Sequence, residues 1–299
     1  LTDRPARGPA STGASWDRLL ATCGLPRLDA RALLAHASHR SREWLLAHGD
    51  EPADPPAATR FGELATRRRA GEPLAYLLGW REFHGRRFAV TPAVLVPRPE
   101  TEELLEPALQ RLPPPGERRP RVLDLGTGSG VIAITLALLR PDAIVVATDA
   151  SGAALAVARG NARTLGATGI EWHEGDWWSA LPPAALPFDL IVSNPPYIAD
   201  ADPHLLDPAL RHEPRHALAS GADGLDAIGT IVPGAPSRLA PGGWLLLEHG
   251  HDQGPAVRHA LQRAGFEAID TLPDLEGRDR FSLGRRPAAA PCDPQSRTV

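Results

Sequence analysis

The tetrapeptide Asn194-Pro195-Pro196-Tyr197 is the part of this chain best suited to holding a planar NH2 group. Two consecutive prolines fix the backbone and remove two N–H donors. Carbonyl oxygens and the Asn194 side-chain oxygen can then converge, as acceptors, on the protons of an amide or amine. An amide nitrogen is a poor nucleophile because its lone pair is delocalised. Accepting hydrogen bonds from its protons raises the electron density there, and Tyr197 can pack on the plane to orient it. In isolation the same four residues are an ordinary proline-stiffened loop, so what precedes them decides.

Three motifs precede them, each at the end of an extended run. Asp124-Leu-Gly-Thr-Gly-Ser-Gly130 places Gly126, Thr127, Gly128, Ser129 and Gly130 between a strand and a helix, where the backbone can pass close to a ligand. Alone it is a weak signal, compatible with a tight connection or with a dinucleotide site. Asp149 follows nineteen residues after Gly130, and its carboxylate can accept both hydroxyl protons of a ribose. Gly175-Asp176-Trp177-Trp178 supplies a carboxylate and an indole for an adenine, with Trp177 assigned to the site and Trp178 to packing. Together the four motifs suit the attack of an amide or amine nitrogen on the methyl group of a sulfonium cofactor. Positioning and desolvation carry such a reaction, and no strong general base is needed.

Composition narrows the alternatives. All 32 basic residues are arginine, which removes lysine Schiff-base chemistry and the P-loop lysine. The net charge of −4 offers no strong attraction to a nucleic-acid backbone. Cys23 and Cys292 are too few and too far apart for a disulfide framework, so a reducing cytoplasm is expected. Residues 1–15 lack an apolar signal core and no run reaches a membrane span, so neither secretion nor membrane anchoring is expected. Among the eleven histidines, His212 and His216 share a helical spacing and His249 and His251 lie two apart, but no third ligand declares itself and no metal is expected.

The elements that must position these residues follow from the apolar periodicity. Residues 1–14 are expected to be disordered and residues 15–80 to form a small helical domain, with caps at Ser15, Asp29 and Ser41 and stops at Gly24, Gly49 and Gly71. Within it Phe61, Leu64 and Ala65 share a helix face, while Arg67, Arg68 and Arg69 read as a solvated one. Residues 81–120 hold a hairpin about Gly85 and a helix from Glu100 to Leu112, whose Glu100-Thr-Glu-Glu103 start reads first as complementing the helix dipole, with a role beside the substrate as the lesser alternative. Residues 121–286 alternate strand and helix, which predicts an α/β domain with a mostly parallel, doubly wound sheet. Residues 287–299 are expected to be a disordered tail.

With these residues assembled, the chain resembles the HemK-like protein-(glutamine-N5) methyltransferases, and among them those acting on peptide-chain release factors. Beyond the glycine-rich turn and Asn-Pro-Pro-Tyr, the likeness rests on Gly71-Glu-Pro-Leu-Ala-Tyr76, Pro97-Arg-Pro-Glu-Thr101, Glu213-Pro-Arg215, Gly221-Ala-Asp-Gly-Leu225 and Gly277-Arg-Asp-Arg-Phe281. His84 departs from it, standing where an aromatic residue is expected. The resemblance implies a class I, Rossmann-like methyltransferase domain of seven strands behind a helical domain that helps grip the protein substrate. It implies that Gly126 to Gly130, Asp149 and Trp177 hold S-adenosylmethionine, and that Asn194 to Tyr197 hold a glutamine amide of a release factor's Gly-Gly-Gln loop. A ribosomal-protein glutamine methyltransferase is the nearer alternative. A DNA adenine or RNA guanine amino-methyltransferase is more distant, since such an enzyme calls for a basic substrate surface. A cofactor-binding adaptor without activity fits poorly with an intact Asn194 to Tyr197 set.

Overall fold

The computed structural model describes residues 13–183 and 185–288. The disorder expected at both ends falls, except for residues 13–14 and 287–288, outside the described residues. The chain divides after Gly79 into two compact units.

The first unit is helical: α1 (Trp16–Thr22), α2 (Arg27–Ser38), α3 (Arg42–Ala47), α4 (Pro55–Arg69) and α5 (Leu74–Leu78). Ser15, Ser41 and Asp54 accept the backbone N–H three residues on and so cap α1, α3 and α4. Asp29 does not cap. Helix α2 starts two residues earlier behind Pro26, and Asp29 instead pairs with Arg68 at 2.7 Å. Its end falls at His39 in the left-handed region, with no glycine to announce it. The arginine run is likewise not simply solvated, because Arg69 donates to the Cys23 carbonyl at 2.6 Å and Arg67 pairs with Glu72. Trp16, Leu33, Leu34, Phe61 and Leu77 form the core.

The second unit opens with the hairpin of β1 (Trp80–Phe83) and β2 (Arg86–Ala89), joined by His84 and Gly85, both at positive φ. Two short helices follow, α6 (Glu100–Glu103) and α7 (Leu105–Gln110). The single helix expected here is interrupted at Leu104, and Pro107 has no N–H to offer the Glu103 carbonyl. Then come β3 (Arg121–Leu125), α8 (Val131–Leu139), β4 (Ile144–Asp149), α9 (Gly152–Leu165), β5 (Glu171–Glu174), β6 (Phe188–Ser193), α10 (Asp226–Arg238), β7 (Leu239–Glu248), α11 (Gly254–Arg263), β8 (Glu267–Pro273) and β9 (Asp279–Arg285).

The seven-stranded sheet has the order β5-β4-β3-β6-β7-β9-β8, with β9 antiparallel to both its neighbours and the rest parallel. Successive strand residues alternate between two apolar layers. Val122, Leu190, Val192 and Leu246 pack with Ile132 and Leu136 of α8, while Leu123, Leu125, Ile191 and Leu245 pack with Ile231 of α10 and Val257 of α11. Strand β6 is covered on both faces and buried along its whole length, which suits its apolar Phe188 and Leu190 to Val192, while its two polar residues are paired, Asp189 with Arg118 and Ser193 with the Leu125 carbonyl. Chain order reverses between β3 and β6, and the crevice at the carboxyl ends of such a pair is where an open α/β sheet binds ligands.

Candidate active site

A cavity of about 590 Å3 opens at that crevice. Gly126 to Ser129, Asp149, Asp176, Trp177 and Asn194 to Pro196 all line it. The ends of β3 and β6 are tied together by Ser193, a fully buried hydroxyl donating to the Leu125 carbonyl at 2.7 Å. The first residue beyond each strand, Gly126 and Asn194, therefore enters the cavity from a braced position.

The glycine-rich turn is held from below and beside. Gly126 and Thr127 donate their N–H groups to the Thr148 carbonyl at 3.0 and 2.9 Å. Asp124 accepts from the Thr127 hydroxyl at 2.7 Å and from the Ala133 N–H at 3.1 Å, and burial pushes its carboxyl up to about 7. Gly128 has positive φ and a Cβ there would meet nothing, so this position faces open space. Its N–H donates to Asp149 Oδ2 at 2.9 Å, while Asp149 Oδ1 accepts from Ser151 N at 2.8 Å. Each carboxylate oxygen thus keeps a lone pair for a ligand on a side chain that cannot turn away. Gly130 does not line the cavity. A Cβ on it would lie 2.8 Å from Ile134 and 3.1 Å from Ala158, so its role is close packing at the start of α8.

Trp177 lines the cavity, and a Cβ on Gly126 would lie 3.6 Å from its ring. Trp178 turns to α10, where its indole N–H donates to the Thr230 carbonyl at 3.0 Å. The anionic Asp149 and Asp176, the indole and the exposed turn backbone together suit a nucleoside carrying a positive charge.

On the opposite wall the Asn194 Nδ2 donates to the Thr101 hydroxyl at 3.0 Å, leaving Asn194 Oδ1 for the cavity. Thr101 donates in turn to Glu248 Oε2 at 2.8 Å, and the Tyr197 hydroxyl reaches Glu248 Oε1 at 3.3 Å. Glu248 ends β7 with no exposed surface, and burial pushes its carboxyl up to about 7 against the opposing pull of Thr101, Arg280 and Tyr197. Burial raises the Tyr197 phenol as well. Tyr197 lines not the main cavity but an adjoining hollow of about 360 Å3, which shares Asn194, Pro195 and Pro196 with it. Its carbonyl accepts from Gln253 Nε2 at 2.9 Å.

The other signature segments converge here. Glu213 accepts from the Val96 N–H at 2.9 Å and the Arg98 guanidinium at 2.7 Å, which anchors the segment leading to Thr101. Gly224 sits against the Tyr197 carbonyl, and Arg280 pairs with Asp274 beside Glu248. Sequence reasoning read the segment of Thr101 first as a helix start, with a place beside the substrate as the lesser alternative and no role for Thr101 itself, and it missed Glu248 and Ser193. A lone acid closing the apolar run Trp244 to Leu247 is the signal that could have exposed Glu248. Among the described residues no three His, Cys, Asp or Glu side chains gather as a metal set, and His249 uses its ring nitrogens on the Gly250 carbonyl and Ser282. No described helix is long and apolar enough to cross a membrane.

Comparison with known proteins places the chain among methyltransferases. Residues 14–79 match the PrmC N-terminal domain model and residues 102–223 the methyltransferase small domain model. The chain is 55% identical over 266 residues to a release factor glutamine methyltransferase of Bordetella pertussis, covering 89% of this chain and 97% of that one. It is 45% identical over 260 residues to the Escherichia coli protein of the same name, covering 87% and 92%. A Pyrococcus furiosus methyltransferase structure matches with a TM-score of 0.51 at 18% identity, covering 68% of this chain and 90% of that one. The Thermus thermophilus 16S rRNA N2 G1207 methyltransferase, solved with AdoMet and guanosine, gives 0.51 at 24% identity, covering 69% and 49%. These two likenesses concern the fold.

Proposed function

Because the chain belongs to the release factor glutamine methyltransferase family, we propose that it methylates the side-chain amide nitrogen of the glutamine in the Gly-Gly-Gln motif of a class I peptide-chain release factor. The cofactor is S-adenosylmethionine, which supplies an electrophilic methyl group on a cationic sulfur. The observation that carries the reading is the Asn194 amide, held by Thr101 so that its oxygen is left for the cavity beside the glycine-rich turn.

In this reading Gly126 to Ser129, Asp149, Asp176 and Trp177 bind the cofactor. Asp149 takes the ribose hydroxyls, and Trp177 packs on the adenine. Asn194 Oδ1 and the Pro195 carbonyl accept the two protons of the glutamine NH2. That contact fixes the amide plane and raises the electron density on the nitrogen. Pro196 stiffens the loop, and Tyr197, its hydroxyl anchored on Glu248, lines the adjoining hollow from which its ring can pack on the amide plane. Giving up the methyl group would disperse the charge on sulfur, so a cavity that excludes water would favour the transfer. The product nitrogen sheds one proton, and neutral solvent suffices to take it. The helical unit, residues 14–79, is assigned to gripping the protein substrate, in a cytoplasmic enzyme without nucleic-acid contacts of its own.

The test is methyl transfer from labelled S-adenosylmethionine to a purified release factor, to the same factor with the motif glutamine changed to alanine, and to duplex DNA and RNA. Label on the unaltered factor alone supports the reading. Label on nucleic acid, or none on the factor, overturns it.

A further inference from the structure

The Asn194 amide has two faces, and only one of them helps the reaction. An oxygen towards the substrate NH2 accepts its protons, whereas an NH2 towards it sets donor against donor. We propose that Thr101 and Glu248 are positioning residues that fix the polarity of the Asn194 amide, holding its oxygen towards the substrate. The proposal rests on the functional reading above and adds residues to it.

The direction is set by proton counting. A threonine hydroxyl has a single proton, and Thr101 lies 2.8 Å from Glu248 Oε2 and 3.0 Å from Asn194 Nδ2. A carboxylate only accepts, so ionised Glu248 claims that proton. Thr101 can then offer Asn194 nothing but a lone pair, and Asn194 answers with its NH2. Turning the amide over would require the Thr101 proton to point at Asn194 Oδ1, leaving a buried carboxylate oxygen without its donor. An unsatisfied group without exposed surface is strongly disfavoured, so the far end of the chain dictates the near end.

The surroundings of Glu248 keep this arrangement in place. Tyr197 donates to its other oxygen from the loop after β6, Arg280 on β9 stabilises its negative charge, and Glu100 on α6 opposes that charge. Burial holds the carboxyl near neutrality, so protonation lies within the working range. A protonated Glu248 can donate to Thr101 and release it to turn its own proton towards Asn194. Amide polarity is therefore weakened on the acid side, and turnover falls there with it.

The experiment compares Thr101→Val, Thr101→Ser and Glu248→Gln with the wild-type chain, measuring kcat, KM for the release factor, S-adenosylmethionine affinity and the pH profile of kcat. Thr101→Val, which keeps the shape and loses the hydroxyl, is expected to lower kcat by more than about tenfold, with cofactor affinity within about threefold of wild type. Thr101→Ser is expected to recover turnover. Glu248→Gln, whose amide can donate to Thr101, is expected to lower kcat and to abolish the acidic limb. If Thr101→Val is poorly folded by thermal melting, the serine variant and the pH profile of Glu248→Gln still decide. Wild-type kcat in Thr101→Val, or an unchanged acidic limb in Glu248→Gln, overturns the relay alone. A wild-type chain that leaves the release factor unlabelled overturns the functional reading and the relay with it.

Discussion

Replacing Gly224 by alanine is expected to disable turnover without touching any residue assigned to the cofactor. Gly224 has φ of 77°, and a Cβ there would stand 2.7 Å from Gln253 Nε2 and closer still to the Tyr197 carbonyl oxygen. The left-handed backbone alone costs an alanine about 1–2 kcal/mol. For a unit of this size that lowers Tm by roughly 2–8 °C. The larger consequence is geometric. Relief requires the Tyr197 carbonyl to move, and the same move breaks its 2.9 Å hydrogen bond from Gln253 and drags the Asn194 to Tyr197 loop. Displacing a positioned group by about 1 Å lowers a rate on the order of 100-fold. The residues assigned to the cofactor at the ends of β3 and β4 take no part in the clash, so S-adenosylmethionine affinity is expected within about threefold of wild type. The assay is single-turnover methylation of a release factor, with calorimetry for the cofactor. Turnover above about a third of the wild-type rate would refute the reasoning, because the loop would then have absorbed the methyl group without losing its geometry.

Asn194→Ala removes one preorganised acceptor and is expected to lower kcat by about 100-fold or more while sparing the cofactor, and equal loss of both would mean the residue is misassigned. Asp149→Ala removes a carboxylate fixed by two backbone N–H groups, and is expected to weaken S-adenosylmethionine binding by about 1.5–3 kcal/mol. Unchanged affinity by calorimetry would count against its ribose role. Asp124→Asn tests the buried carboxyl beneath the turn, whose value is raised from 3.8 to about 7. Between those values the native state holds the proton and the unfolded chain has released it, so this group makes stability fall as pH rises through the window. Thermal melts from pH 4 to pH 8 should therefore show the variant gaining relative to wild type by about 4 kcal/mol at most, and a constant difference would place the Asp124 value at its ordinary level.

Sheet and helices were legible where one physical signal dominated. Buried β6 has the apolar run Leu190 to Val192 at its centre, α9 is capped by Ser151 and stopped by Gly166, and the hairpin turn needs positive φ where glycine stands. Legibility failed where tertiary contacts outweighed local preference. The proline-bearing helix α10, with Pro233 and Pro236 inside it, carries breakers in its interior, and packing of Ile228, Ile231 and Val232 on the sheet holds it helical. Helix α2 ends at His39, which adopts a backbone conformation that a reading keyed to glycine overlooks.

At the site, the residues facing the cavity were legible and those standing behind them were not, and the difference is physical. Gly128, Asp149 and Asn194 belong to short motifs whose chemistry is local, each following a strand end. Thr101, Glu248, Ser193 and Gly224 act only through partners distant in sequence, such as the 147 positions between Thr101 and Glu248. Their residue types do not reveal their partners until the fold closes the distance. The same distance explains why the segments around Thr101, Glu213, Gly224 and Arg280 belong together. Thr101, Gly224 and Arg280 act on Asn194, its loop or the buried carboxyl that orients it, and Glu213 holds the segment that carries Thr101, so a site needing only acceptors in place draws its rigidity from four separate stretches of chain.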